Sequence, residues 1–536
     1  MKISYKILLI LALTLFLLQL DYLFADIMEA RNFVSAREMV KDNHWIYTTM
    51  NGEIRYQKPP LPTWFSAIMG YLFGTETLWA LRFPAALSCS FLILYFYDFL
   101  KRTTQDKQLA LVSALILCTS FLVIFIGKRA TWDIYCYSFG FIGIYYFYRS
   151  FQSKGKDFLS FSLAGLFLGF SILSKGPTGI YVIAAPFFLG YWIAYGFPKI
   201  KWMGWLWMII LALLVGFSWY IFIYFTDHQN FVSIMEEEFT ARSNRDVKPF
   251  TRYFSFPLQM GVWAIFAVIS LAFPYVKRKT PFPKAYVFFF GWTLFCFILL
   301  SLVPSKKERY LFPLMIPLSA TTGFYVYYLL KNQSWKKWER MLTRFSFGLV
   351  AVVSIMVPLL LFVGLKVKMS IYSITFSVSA VLIGLYLFRQ IGKVFNLQNA
   401  FLATICFVAS ATLLGIPIID DIFTNNPNHH SILLKKESIQ NSGLKLYGFH
   451  VYSPEIWFKY GEIIPDIDFD NPSKLPQEHA FYFISMANEN VEHIQNKMNE
   501  MGYSIQFIEE FDDNETQSGK NNTDRKRIKL FKAERK

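Results

Sequence analysis

The 536-residue chain has few charged residues: they make up 17% of it, whereas about 25% is usual in soluble domains. Hydrophobic residues account for 54% and aromatic residues for 19%, which is more than a single globular core can use, so an ordinary soluble enzyme is excluded. Cysteine is scarce as well. The five cysteines fall in apolar stretches and form no Cys-x-x-Cys pair, so the sequence indicates neither a disulfide framework nor a thiolate metal site.

The chain contains many long runs of apolar residues. A helix needs about 20 consecutive apolar residues to cross the hydrocarbon layer of a bilayer. The chain is therefore predicted to be an all-α polytopic membrane protein, and its first run is predicted to be a retained signal anchor because it lacks a small-residue cleavage site. The runs predict thirteen spans, over residues 6–24, 78–100, 108–126, 132–150, 157–173, 178–196, 203–226, 255–276, 285–303, 310–330, 345–365, 369–388 and 399–421.

The distribution of Lys and Arg predicts the orientation of these spans. If Lys2 and Lys6 are cytoplasmic, the inside connections carry 18 Lys and Arg and the short outside connections carry 8, in agreement with the positive-inside rule. Topology thus accounts for much of the net charge of +16, and no nucleic-acid partner is needed to explain it. The long loops 25–77 and 227–254 and the segment after residue 421 are then predicted to lie outside.

From residue 422 the composition is that of a soluble protein. The segments KLYGFHVY, AFYFISM and YSIQFIEEF are typical of strands, and ENVEHIQNKMNEMG is typical of a helix that ends at Gly502. We therefore predict two domains, a transmembrane domain over residues 1–421 and a small soluble α/β domain over residues 422–536.

The first outside loop carries the most specific motif of the sequence, in which EARN, AREMV and KPPLP follow one another between Glu29 and Pro62. This run resembles the first periplasmic loop of the bacterial aminoarabinose transferase (ArnT) family and of related protein O-mannosyltransferases, which are membrane glycosyltransferases of the GT-C type. The resemblance covers roughly residues 5–330. It continues at Asp133, at SKGPTG (174–179), at residues 238–242 and at SKKERYLFP (305–313).

The resemblance implies a GT-C fold of about thirteen spans with an outside C-terminal domain. It also implies inverting transfer of a hexose or pentose from undecaprenyl or another polyprenyl phosphate, at the periplasmic face of a bacterial inner membrane. Lipid A, another envelope glycan or a protein is the expected acceptor. A flippase for lipid-linked sugars is the alternative from a different class; transporters tend to show internal repeats and charges near the midplane, whereas here no repeat is visible and the charges concentrate at one face.

Cations on the outside surface are the predicted ligands of the donor phosphate. Cleavage of the sugar–oxygen bond increases the negative charge on the leaving phosphate, and fixed cations in a low-dielectric cleft stabilise that charge. Lys58 ranks first, because Pro59 and Pro60 fix the chain after it, and it is also a catalytic candidate. The matching tyrosine of the family lines the phosphate site, which adds Tyr310. Further candidates within the family motifs are Lys175, Arg242, Lys306, Lys307 and Arg309.

Carboxylates near the outside ends of spans are the other predicted catalytic residues: Glu29, Asp133 and Asp26. Each could orient the acceptor, accept its proton or balance the developing charge on the sugar. The family has adjacent Asp and Glu before Ala-Arg, and Met28 replaces the first of them, so Asp26 is a candidate substitute. The structural alternatives are an ion pair with Arg31 for Glu29 and a favourable helix N-terminal charge for Asp133.

A divalent metal ion receives little support as a cofactor. Relatives carry a glutamate before the lysine of the KPP motif and a histidine in the later loop, whereas this chain has Gln57 and Glu237 at the corresponding places. The sequence therefore predicts no metal ligands.

Overall fold

The computed structural model describes residues 5–153, 157–244, 247–332, 334–392, 395–469, 471, 474–517 and 522–536, without the side chains of residues 241–244. The chain divides into two compact units. We call the first the membrane unit; it comprises Met1–Leu20, Tyr56–Pro62 and Arg82–Ile418. The second, the sheet unit, comprises Asp21–Arg55, Thr63–Leu81 and Ile419–Lys536.

The helices are numbered in chain order. The first nine are α1 (Tyr5–Leu17), α2 (Ile27–Lys41), α3 (Leu61–Phe73), α4 (Leu78–Thr104), α5 (Lys107–Cys118), α6 (Phe121–Gly127), α7 (Trp132–Gln152), α8 (Phe158–Lys175) and α9 (Ala185–Tyr195). The next nine are α10 (Trp202–Thr226), α11 (His228–Asn244), α12 (Ala264–Ser270), α13 (Phe273–Lys279), α14 (Pro283–Leu302), α15 (Phe312–Lys331), α16 (Lys337–Pro358), α17 (Ile371–Ile391) and α18 (Leu397–Phe423). Four irregular helical segments adjoin them: π-helical turns at Ile180–Ala184 and Leu359–Gly364, and 3₁₀ turns at Phe250–Trp263 and Glu308–Leu311.

Each of the thirteen predicted spans coincides with helical structure, but not all of these helices have the length and composition of a lipid-exposed span. In the described residues eight helices are long and apolar enough to cross a bilayer, and nine if α5 and α6, which meet at 64°, form one broken span. Two others, α1 and the stretch Ile180–Tyr195, are apolar but shorter. The protein is a multi-pass membrane protein, as predicted.

Helices α7 and α15 are long but less apolar than the other predicted spans, and their burial explains why. Nearly all side chains of α15 from Phe312 to Leu329 are buried, as are most of those of α7. A helix surrounded by protein need not present an apolar surface to lipid, so it can carry tyrosines, serines and threonines. Both helices therefore form the interior of the membrane unit, and two of the functional residues described below, Asp133 and Arg309, lie at or directly before their N-termini.

Helix α1 packs into the membrane unit rather than standing apart from it. Leu8, Ala12, Leu15 and Phe16 are completely buried. The ammonium group of Lys128 donates hydrogen bonds to the carbonyl oxygens of Leu15, at 3.0 Å, and of Leu18. These carbonyls belong to the last turn of α1 and to the residue directly after it, where a cation is favourable.

The sheet unit contains the small C-terminal sheet predicted from the sequence. Its strands after residue 419 are β3 (Leu446–Phe449), β4 (Ala480–Met486), β5 (Tyr503–Asp512) and β6 (Arg527–Arg535), following the hairpin strands β1 (Thr49–Met50) and β2 (Glu53–Ile54). The sheet order is β3-β4-β6-β5, with β3 and β4 parallel and the other pairs antiparallel. Helices α19 (Leu433–Asn441), α20 (Pro454–Tyr460) and α21 (Val491–Glu500) accompany it, and Phe481, Phe483, Met498 and Phe531 form its core.

Asp21–Arg55, which contains the first part of the outside loop 25–77, folds with the C-terminal segment, although the loop is predicted from the sequence to belong to the transmembrane domain. The guanidinium of Arg37 on α2 donates to the backbone oxygens of Trp457, at 2.7 Å, and Glu462, at 3.1 Å. The side chain of Asn51 exchanges two hydrogen bonds with the backbone of Ile464, at 2.7 and 2.8 Å. Because both side chains are buried, these bonds fix the loop within the sheet unit.

Candidate active site

Asp133 is the centre of a charged cluster in the membrane unit. It is the second residue of α7, and it is only 1% exposed. Its Oδ1 lies 2.5 Å from Nζ of Lys175, and its Oδ2 lies 3.5 Å from Nε of Arg309. Lys58 also interacts electrostatically with the carboxylate. A buried carboxylate is costly unless it is paired, and these three cations provide the compensation.

The cluster forms because the ends of several helices meet at one place. Helices α7 and α8 are joined by a short connection and therefore run antiparallel, so the first turn of α7 lies beside Lys175, the last residue of α8. Gly176 follows with a φ of +77°, which allows the chain to turn sharply there. Arg309 belongs to the 3₁₀ turn Glu308–Leu311, directly before α15.

The ammonium group of Lys175 also contacts the rings of two tyrosines, Tyr310 and Tyr137. Its Nζ is 4.6 Å from the ring centroid of Tyr310 and 5.4 Å from that of Tyr137. The guanidinium carbon of Arg309 lies 5.5 Å from the same Tyr310 ring, so Tyr310 contacts both cations through its face. Tyr137 is not among the site residues predicted from the sequence. Its position four residues after Asp133, on the same face of α7, is the signal that could have identified it.

Lys58 occupies a second part of the site. Two residues earlier, the buried Tyr56 donates a hydrogen bond to Oδ2 of Asp227 at 2.8 Å, and its ring packs edge-on against Trp219 of α10. The ammonium group of Lys58 lies 3.3 Å from Oε1 of Glu238 on α11, and the two side chains are 18% and 21% exposed. The contacts of Tyr56 therefore fix the segment that carries Lys58. The charge of Lys58 is neutralised by Glu238, which lies 180 residues later in the chain.

Lys306 is a predicted phosphate ligand, but its described contacts are with backbone carbonyl oxygens of the protein. Its ammonium group donates to the backbone oxygens of Val303 at 2.6 Å, Lys248 at 3.0 Å and Pro304 at 3.5 Å. Burial lowers the pKa of this amine, and the side chain is only 2% exposed. These bonds fix the loop that precedes Arg309, so Lys306 acts on the cluster through the backbone.

The remaining candidates are Asp26, Glu29 and Arg242. Asp26 and Glu29 belong to the sheet unit. Asp26 is the N-cap of α2, and its Oδ1 accepts from the backbone N–H groups of Met28 at 2.8 Å and Glu29 at 3.0 Å. Glu29 lies in the first turn of α2 and is completely buried. The side chain of Arg242 lies outside the described residues.

Metal binding has no apparent site in the part of the chain that the structure describes. No group of three or more His, Cys, Asp or Glu side chains is arranged there to hold an ion. The carboxylates of the cluster instead have cations as neighbours.

Comparison with known proteins relates both the fold and the motif regions to membrane glycosyltransferases. Residues 57–222 match the model of the dolichyl-phosphate-mannose-protein mannosyltransferase family. An uncharacterised protein of Aquifex aeolicus is 29% identical over 314 residues, 56% of this chain and 59% of that protein. An undecaprenyl phosphate-α-4-amino-4-deoxy-L-arabinose arabinosyl transferase of Shewanella sediminis is 27% identical over 307 residues, 54% of each chain. The chain thus spans little more than half the length of these relatives.

The solved structures extend the likeness to nearly the whole fold. Two crystal structures of ArnT from Cupriavidus metallidurans, apo and bound to undecaprenyl phosphate, superpose with TM-scores of 0.70 and 0.69. Each covers 98% of this chain and 97% of that one, at 14% and 15% identity. The protein therefore has a membrane fold of the GT-C type. Within that class its fold is ArnT-like, and the resemblance predicted from the loop motifs is confirmed.

Proposed function

We propose that the protein is an integral-membrane glycosyltransferase that transfers a sugar from a polyprenyl phosphate, such as undecaprenyl phosphate, to an acceptor of the cell envelope. The arrangement of Lys58, Lys175 and Arg309 near Asp133 carries this proposal. Three cations and the ring of Tyr310 are concentrated where several helices end, a location suited to a lipid whose phosphate lies at headgroup level. The lipid bound by the Cupriavidus protein, undecaprenyl phosphate, carries such a phosphate headgroup.

The cations would stabilise the leaving phosphate. As the bond between the sugar and the phosphate oxygen breaks, negative charge grows on that oxygen, and preorganised positive groups lower the energy of the transition state. In this proposal Lys58 and Arg309 contact the phosphate and Tyr310 lines its site. Lys306 supports the loop that carries Arg309, and Arg242 stays a candidate from the sequence motif.

Asp133 would act by positioning the cations. A carboxylate 2.5 Å from an ammonium group and 3.5 Å from a guanidinium is a poor base, because protonation would break two favourable charge interactions. We therefore assign it the task of holding Lys175 and Arg309 in place. Glu29 is proposed as the carboxylate that acts on the acceptor or the sugar, and the capping bonds of Asp26 favour a structural role for that residue.

The location of the charges favours an enzyme over a flippase. Transporters place substrate groups near the bilayer midplane in broken helices. Here Asp133 is the second residue of its helix, Lys175 is the last of its own, and Arg309 precedes α15. Such positions suit chemistry at the membrane surface.

The proposed acceptors are lipid A, another envelope glycan or a protein at the periplasmic face of a bacterial inner membrane. Mass spectrometry of lipid A, envelope glycans and periplasmic proteins should detect a sugar that is present in cells with the gene and absent from cells without it. Identical profiles in all three fractions would contradict the proposed function.

A reporter fused after Lys536 tests the proposed orientation. Thirteen crossings after a cytoplasmic N-terminus would place the sheet unit in the periplasm, so a periplasm-specific phosphatase reporter should be active there, and a reporter that needs the cytoplasm should be inactive. The opposite pattern would place the sheet unit on the cytoplasmic side and remove the proposed periplasmic site.

Replacement of Glu29 by glutamine tests its proposed role. The change keeps the size of the side chain but removes the charge, and loss of acid–base assistance should lower turnover by about 10²-fold. Glu53→Gln is the matched control, because Glu53 lies in the same loop and is 58% exposed. Turnover of purified protein with polyprenyl-phosphate sugar is the measurement. Equal activity in the two variants would exclude Glu29 from the chemistry.

A further inference from the structure

The ion pair between Lys58 and Glu238 places a negative charge where a phosphate ligand of Lys58 would lie. The Nζ and Oε1 atoms are 3.3 Å apart, and both side chains are about four-fifths buried. An ammonium group in such a position needs a counter-ion. In the protein without substrate, Glu238 supplies it.

Helix α11, which carries Glu238, is weakly packed along its described length. Among its described side chains, residues 228–240, none is fully buried. Phe239, directly after Glu238, is 81% exposed. Few buried contacts mean a low local stability, whereas the start of α11 is tied at Asp227 by the buried Tyr56. A shift of the helix near Glu238, with its first turn fixed, would therefore disturb few packed side chains.

We propose that Glu238 is an internal counter-ion that competes with the lipid phosphate for Lys58, and that it promotes release of the polyprenyl phosphate product. This inference rests on the proposed function. A sugar-linked polyprenyl phosphate is a diester with one negative charge, whereas the product is a monoester that gains further negative charge after transfer. Three cations would hold that product tightly and slow turnover. Return of Glu238 to Lys58 offsets part of the attraction and lets the product leave.

The neutral variant Glu238→Gln distinguishes the counter-ion role from a structural role, because the two roles predict opposite changes in the affinity for phosphate. Without the competing charge, Lys58 loses the carboxylate at 3.3 Å and attracts phosphate more strongly. The dissociation constant for undecaprenyl phosphate should therefore fall by about threefold to tenfold. Damage to the fold would weaken binding, so tighter binding cannot come from misfolding.

The experiment measures binding of undecaprenyl phosphate to full-length protein in nanodiscs. Four variants are compared with the wild type: Glu238→Gln, Glu236→Gln, Lys58→Ala and the double variant Lys58→Ala with Glu238→Gln. Glu236 is exposed on the same helix and matches the change in net charge, so its variant should bind like the wild type. The gain from Glu238→Gln should vanish in the Lys58→Ala background, because the two residues act on one another.

The outcomes distinguish failure of this inference from failure of the proposed function. If the wild type binds and Lys58→Ala weakens binding, but Glu238→Gln equals Glu236→Gln or binds more weakly, the counter-ion role is overturned and the donor site stands. If Glu238→Gln still tightens binding in the Lys58→Ala background, the effect comes from the change in net charge and not from Lys58. The counter-ion role is then overturned as well. Absence of binding to the wild type would overturn both proposals.

Discussion

Replacement of Lys58 by alanine is expected to lower the rate of sugar transfer by about 10² to 10³-fold. The side chain is 18% exposed and lies 3.3 Å from Glu238, so its charge is largely shielded from solvent. By analogy, loss of one preorganised hydrogen-bond donor to a developing anion has an effect of this size in other enzymes. The measurement is turnover of purified protein with polyprenyl-phosphate sugar, together with its yield from membranes.

Lys366→Ala is the matched control for this variant. Lys366 is an exposed lysine in the loop before α17, and an isolated cation there is expected to anchor lipid headgroups. Its removal should change turnover by no more than about twofold. If Lys58→Ala and Lys366→Ala have equal effects, Lys58 is a headgroup anchor as well and does not contact the leaving group.

The membrane unit could be predicted from the sequence because apolar runs report directly on the lipid environment. Burial in protein weakens that signal. Helices α7 and α15 are less apolar than lipid-exposed spans, yet their sequences still contain enough apolar residues to be recognised. The strands after residue 422 were predictable for a similar reason, since alternating and aromatic-rich segments such as β4 match the pattern of a half-buried strand.

The partners of individual side chains could not be predicted, because they depend on the positions of distant backbone atoms. Lys306 lies in a charged motif, which indicates phosphate binding, but its ammonium group donates hydrogen bonds to three backbone carbonyl oxygens. Arg37 and Asn51 bind the backbone more than 400 residues away, and nothing in their own segment indicates this. The ion pair between Glu238 and Lys58 could not be predicted either, because no local sequence pattern connects the two residues.

Replacement of Asp133 by asparagine is the second change with a large expected effect. The variant keeps the size of the side chain but removes the charge that holds Lys175 at 2.5 Å and Arg309 at 3.5 Å. The cations remain in the protein, so the affinity for undecaprenyl phosphate should stay within about tenfold of the wild type. Turnover should fall by about 10² to 10³-fold, because cations that are displaced by a fraction of an ångström no longer match the transition state.

Glu308→Gln provides the comparison for this change. Glu308 precedes Arg309 and forms an ion pair with Arg252 at 2.6 Å, but both side chains are more than 40% exposed. Its loss should alter stability by roughly 0.2 to 1 kcal/mol and leave turnover nearly intact. Melting temperature, phosphate affinity and turnover are measured on both variants. If Asp133→Asn loses affinity in proportion to turnover, Asp133 is needed to form the binding site itself. If it loses neither, its carboxylate is only a favourable charge at the start of α7, and the catalytic proposal then depends on the cations and Glu29 alone.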